Sequence, residues 1–203
     1  MSTNKRRERD KEKMRRRILD AAKQLFVKEG FDNVSLRRIA GAIEYSPAAI
    51  YRYFKNKREI LSVLRAEGFE RYVERQKKRT EQFPDPVERL RAGGKGYIQF
   101  ALSEPEYFQL MFCTNCEQVD LEGEWAESSM QSYIHFRTNV EECVASGYFG
   151  DVDVDTVVFS AWSGVHGLAH LISTGQVEIL SNGLDLDPLL DRILGFCLRP
   201  GVK

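Results

Sequence analysis

The 203-residue chain is 42% hydrophobic, which is ample for the core of one domain or of two small ones. Its zero net charge conceals a division: residues 1–83 carry 23 Lys+Arg against 12 Asp+Glu, a net of +11, and residues 84–203 carry 7 against 18, a net of −11. The first half suits a polyanion and the second repels one, so a single partner for both halves is excluded.

The charged opening, KRRERDKEKMRRR, is followed by no apolar stretch and so reads as no secretory signal. Residues 1–14 are expected to form a basic, disordered arm, and residues 5–17, with nine Lys/Arg against three acids, either add nonspecific affinity for nucleic acid or form a solvated extension of the first helix. Helical periods then recur, and strand signals are almost absent. Ile18, Ala22, Leu25 and Phe26 form one stripe, stopped by Gly30, with Phe31 where a helix-ending apolar contact belongs. Ser35 caps a second helix bearing Leu36, Ile39, Ala40 and Ile43 on one face. After the turn Glu44-Tyr45-Ser46, Ser46 and Pro47 start a short helix running to Phe54. Asn56, paired reciprocally with Glu59, caps a long amphipathic helix from Lys57 to about Gln82, roughly 40 Å in reach.

Pro84 and Pro86 break that helix. Further helices are expected at about 86–102, 105–112, 125–146, 154–174 and 188–198, with loops at 113–124 and 175–187. Residues 156–177 contain no Asp, Glu, Lys or Arg. Two histidines, several Ser/Thr and three glycines in that run make it a core or interface helix rather than a membrane span. With the helix at 188–198 it is expected to form a four-helix contact with a second copy, giving a homodimer.

Two short helices joined by a three-residue turn, behind a supporting helix, are a DNA-reading arrangement. Ile50 and Phe54, four apart, form the buried side of the second helix, and Ala48, Ala49, Tyr51 and Arg52 face outward with Tyr53 at the edge. Tyrosine hydroxyls hold phosphates, and small residues let a helix N-terminus approach bases. Arg37 can read a guanine edge bidentately, and Lys57 can clamp a flanking phosphate. A lone Tyr-x-Tyr-Phe is usually core and a basic run usually a solvated face; the combination points to double-stranded DNA.

The stretch ILDAAKQLFVKEGFDNVSLRRIAGAIEYSPAAIYRYFKNKREIL resembles the DNA-binding domain of the TetR family of transcriptional regulators over about residues 15–64. It differs in having Glu44-Tyr45-Ser46 where Gly-Val-Ser is usual, and Ala48-Ala49 where a small residue and threonine are usual. The resemblance implies DNA contacts from Ser35, Arg37, Tyr45, Ser46, Ala48, Ala49, Tyr51, Arg52, Tyr53 and Lys57. It also implies an all-α, cytoplasmic protein. A three-helix helix-turn-helix domain (15–58) would precede a helical bundle (59–203) that binds an effector and dimerises, acting as a repressor of a palindromic operator.

Trp162, His166 and Gly167 resemble a subgroup whose C-terminal domain carries a Trp-His-Gly pattern. Phe108, Met111, Phe112, Tyr133, Phe136, Arg137, Trp162 and His166 are the candidate pocket, although aromatic stripes at helical spacing are usually ordinary core. That lining favours a small apolar or aromatic effector. Glycines at 93, 94, 96, 164 and 167 inside helices signal close packing or room for a guest. The four cysteines, at 113, 116, 143 and 197, are expected to be reduced. A rival reading makes Cys113 and Cys116, with His166 and His170, a metal or redox sensor. No phosphate-cradling glycine loop, nucleophile elbow or acid–base set is present, so no enzyme activity and no cofactor are expected.

Overall fold

A computed structural model describes residues 2–113, 124–181 and 185–199. Among these residues the structure is helical with no strand, which matches the expected all-α class. The helices are α1 (Ser2–Glu29), α2 (Leu36–Ala42), α3 (Pro47–Ile50), α4 (Lys57–Thr80) and α5 (Pro86–Ser103). They continue as α6 (Pro105–Phe108), a π-helical turn (Gln109–Cys113), α7 (Glu124–Ala145), α8 (Val154–Ser173), α9 (Gln176–Ser181) and α10 (Leu186–Cys197).

Three expectations are corrected. The stretch expected as a disordered arm is helical: α1 begins at Ser2, and the run to Glu29 holds no glycine or proline and is rich in helix formers. The helix expected over 47–54 ends at Ile50. Tyr53 N–H and Phe54 N–H both donate to the Ile50 carbonyl, at 2.9 and 3.1 Å, and close the chain into a turn that frees Asn56 to cap α4. Within 175–187, expected as loop, a six-residue helix follows Gly175 (φ +72°), too short for a periodic pattern to reveal. The loop expected at 113–124 falls almost wholly outside the described residues.

The chain packs as two units, residues 1–68 with 106–126 and residues 69–105 with 127–203. The change falls inside α4 rather than at residue 58, since one continuous helix contributes to both cores. In the first unit Ile18, Leu19, Ala22, Phe26, Ile39, Ile50, Phe54, Ile60, Leu61 and Leu64 are buried. Phe26 and Phe31 meet at 5.1 Å across the Gly30 break, as the stop pattern predicts. The second segment of this unit is anchored on α4. Gly68 has no room for a side chain, because an added Cβ would lie 2.6 Å from Met111 Sδ.

In the second unit one core cluster joins Leu90, Val140, Cys143, Phe149, Val157, Val158, Ala161 and Leu198. Two of the helical glycines serve close packing, since a Cβ at Gly94 would meet Leu194 at 3.0 Å and one at Gly164 would meet Cys197 Sγ at 3.3 Å, whereas a Cβ at Gly167 would meet nothing within 4 Å. Burial pushes the Cys143 thiol up to about 11. Among the described residues no helix is long and apolar enough to cross a membrane.

Candidate nucleic-acid interface

The reading head is built from caps. Ser35 Oγ accepts from Arg38 N–H at 3.1 Å and starts α2. Ser46 Oγ accepts from Ala49 N–H at 3.3 Å and starts α3, with Pro47 in its first turn. Both serines therefore face the helix ends that would approach phosphates, and both hydroxyls are already accepting one backbone bond.

Ile50 and Phe54 are 0% and 1% exposed, so the buried side of α3 is the expected one. The opposite side is open. Tyr51 is 61% exposed, which sets it apart from a core tyrosine, and Ala48 and Arg52 are exposed beside it. Ala49 and Tyr53 are half-buried at the edge. Among the described residues Arg37 and Arg52 make no hydrogen bond or ion pair. Two unneutralised guanidiniums next to a helix N-terminus suit an anionic partner.

Four positions carry roles the sequence does not announce. Tyr45 is 41% exposed, with the Arg17 guanidinium 5.4 Å from its ring centre. Lys57, expected on a phosphate, donates to the carbonyls of Phe31 and Asp32 at 2.7 and 3.1 Å and lies 4.4 Å over the Phe31 ring. It thereby ties the start of α4 to the α1–α2 turn. Glu59 takes the N–H of Lys55 at 2.6 Å rather than that of Asn56, whose Oδ1 accepts from Glu59 N–H at 2.9 Å. Arg38 pairs with Glu29 at 2.6 Å and pins α2 to the end of α1.

The candidate pocket residues are divided between the units. Phe108 and Met111 are buried in the first unit, and Phe112 lies 5.2 Å from the Phe108 ring. Tyr133 and Phe136 pack against the core cluster of the second unit. Arg137 is held by Asp155 and by Glu141, the latter at 3.1 Å. Trp162 is 37% exposed on α8. His166 Nδ1 and Tyr97 Oη share a hydrogen bond of 2.8 Å, and burial, with His170 second, lowers the imidazole pKa.

The sequence did not single out Tyr72, Gln76 and Tyr97, which lie inside the second unit. Gln76 Nε2 donates to Tyr72 Oη at 2.8 Å and to the Gly93 carbonyl at 2.9 Å. The Tyr72 and Tyr97 rings meet edge-on at 5.7 Å, and burial pushes the Tyr72 phenol up to about 12. For the sensor reading, Cys116 lies outside the described residues, as does the Cys113 side chain. Among the described residues no group of three His, Cys, Asp or Glu is arranged to hold a metal.

The profile of the tetR family of bacterial regulatory proteins matches residues 18–64, and that of the tetracyclin repressor-like C-terminal domain matches residues 90–196, more than half of the chain. A 57-residue stretch is 39% identical to the HTH-type transcriptional repressor Rv1474c of Mycobacterium tuberculosis, covering 28% of this chain and 30% of that one. A 49-residue stretch is 45% identical to the HTH-type transcriptional regulator YvkB of Bacillus subtilis, covering 24% and 26%. The chain thus spans less than a third of the length of these curated relatives. The TetR family regulator PfmR from Thermus thermophilus superposes with a TM-score of 0.71 at 21% identity, covering 92% of this chain and 99% of that one. The fatty acid degradation regulator FadR from Bacillus halodurans superposes at 0.68 with 19% identity, covering 91% and 94%, and these likenesses show a shared fold. The two matched profiles, the capped helix pair and the exposed face of α3 agree: the chain belongs to the TetR family, whose members are DNA-binding transcriptional regulators rather than enzymes.

Proposed function

We propose that the protein is a cytoplasmic transcriptional repressor that binds a near-palindromic operator as a homodimer and leaves it when a small, largely apolar molecule binds. The observation that carries the reading is the outward side of α3. Exposed Tyr51 and unneutralised Arg37 and Arg52 stand beside the buried Ile50 and Phe54. A reading head at about residues 15–58 and an effector portion at 59–203 follow from the same reading. The ten contact residues keep their roles except Lys57, whose bonds to Phe31 and Asp32 make it a brace of the head. The basic start of α1 adds nonspecific affinity as a helix.

The Trp-His-Gly resemblance supports an effector site near His166. The expected lining is best revised toward the interior of the second unit, where Tyr72, Gln76, Tyr97 and His166 set polar groups among rings. The side-chain oxygen of Gln76 is buried without a hydrogen-bond partner, which suits a guest with one donor group and otherwise apolar surface. Coupling within the first unit has a physical route. Lys23 pairs with Glu106 at 2.7 Å, Tyr107 Oη donates to Glu67 at 2.9 Å, and Glu67 accepts two bonds from Arg16 at 2.8 Å. A shift in α6 therefore pulls on α1. A hundredfold change in operator affinity needs about 2.7 kcal/mol of differential ligand binding.

Fluorescence anisotropy with operator and random duplex at one salt concentration tests the reading. Tyr51→Phe is expected to weaken both complexes alike, by about fivefold. Arg37→Ala is expected to cost about 1–3 kcal/mol on the operator and little on random duplex. Equal losses on both would reassign Arg37 to a phosphate, and no preference for any operator in the wild type would defeat the repressor reading.

A further inference from the structure

The second unit carries a concave surface that the DNA-binding reading does not use. Residues of α4, α5, α10 and the turn between α4 and α5 line an open groove of about 770 Å³. Five of them are basic, namely Arg75, Lys78, Arg79, Arg91 and Lys95, against two acids, Glu88 and Asp191. Arg75, Lys78 and Arg79 come from the basic stretch 1–83, and Arg91 and Lys95 from residues 84–203, which carry a net charge of −11. Three of the cations are paired: Lys78 with Glu74 at 2.8 Å, Lys95 with Asp191 at 2.9 Å, and Arg75 with Glu104.

Arg79 and Arg91 differ. Arg79 donates to the side-chain oxygen of Gln99, and Arg91 Nη2 donates to Tyr148 Oη at 3.1 Å. Both partners are neutral, so each guanidinium is positioned without being neutralised. Two unpaired guanidiniums on one concavity repel each other, and an anion between them replaces that repulsion with attraction. A guanidinium fork matches the oxygen spacing of a phosphate and gives paired, charge-assisted bonds. The volume falls in the range of small-molecule sites, and the two acids in the lining oppose a continuous polyanion such as duplex DNA. We propose that this groove binds a small anion carrying adjacent phosphate groups, held chiefly by Arg79 and Arg91.

Calorimetric titration of the full chain at low salt with inorganic pyrophosphate, and separately with ATP, tests the assignment. A roughly micromolar Kd is expected for at least one of them, weakened as salt rises. Tighter binding of ATP identifies a nucleotide as the source; equal or tighter binding of pyrophosphate identifies the inorganic anion. Arg79→Gln and Arg91→Gln should each weaken the tighter ligand by about tenfold, the loss of one charged bond pair. Far-UV circular dichroism checks folding, and if Arg79→Gln loses helicity, the exposed Arg91→Gln decides. No heat with either compound, or affinity unchanged in Arg91→Gln, overturns the proposal. So does a loss of random-duplex affinity in the double variant without any phosphate compound, which would make the groove a DNA contact. The outcome is separate from the repressor reading, which stands or falls on Tyr51 and Arg37.

Discussion

Glu44 holds φ +60° in the turn between α2 and α3, in the left-handed region that favours glycine. Its N–H reaches the Gly41 carbonyl at 3.3 Å and the next N–H, of Tyr45, reaches Ala40 at 2.9 Å, so the turn enforces the conformation. A glutamate there costs about 1–2 kcal/mol against an unstrained backbone. Part of that gain is lost to the greater freedom of glycine when unfolded. Glu44→Gly is therefore expected to stabilise the protein by about 0.5–1 kcal/mol, read as a higher urea midpoint with an unchanged slope. A lower midpoint would mean that the glutamate side chain contributes more than the strain removes. The unusual residue was visible in sequence, but its φ was not, because only the closed turn imposes it.

Among the elements, α8 answers the question its composition poses. Val157, Val158, Ala161, Val165, Ala169 and Ile172 face inward, yet Phe159, Trp162 and Leu171 remain 55%, 37% and 41% exposed. On α10, Phe196 is 67% exposed. A helix apolar nearly all round needs cover on its second face, and in the proposed homodimer a two-fold copy of the same face would supply it. Phe159→Glu should shift the protein toward monomer in light scattering and weaken operator binding by at least about tenfold, while circular dichroism stays unchanged. Persistence of the dimer would put the interface elsewhere. The short α3 teaches the opposite lesson: its caps were legible, but its end was set by bonds to Ile50 that form only in the packed turn.

At the scale of the molecule, charge is separated along the chain, a basic stretch at 1–83 preceding an acidic one at 84–203. His166 links protonation to the stability of the second unit. Burial holds its pKa below the ordinary 6.5, with His170 adding repulsion, so the unfolded chain takes up a proton that the folded chain resists. The resulting loss of stability is absent above pH 6.5 and grows as pH falls from there toward the lowered folded value. His166→Asn retains an acceptor for Tyr97 but cannot titrate. Urea midpoints at pH 7.5 and 5.5 should fall further in the wild type than in this variant. Equal falls in the two proteins would show that the imidazole is solvated enough to protonate freely.

Periodicity and capping chemistry by themselves determined the helical class, the starts of the helix pair at Ser35 and Ser46, and the outward set of Tyr51, Arg37 and Arg52. These features depend on neighbours within a few residues, where Ser, Pro and Gly act through their own backbone preferences. The placement of Phe108 and Met111 in the unit of the head, and the interior chain of Tyr72, Gln76, Tyr97 and His166, were decided by tertiary structure. So were the bonds of Lys57 to Phe31 and Asp32. Aromatic stripes at helical spacing tell that a face is buried, not which face covers it. Partners 25 to 69 residues apart meet only when the helices pack, and that choice is made by shape and by the satisfaction of buried polar groups.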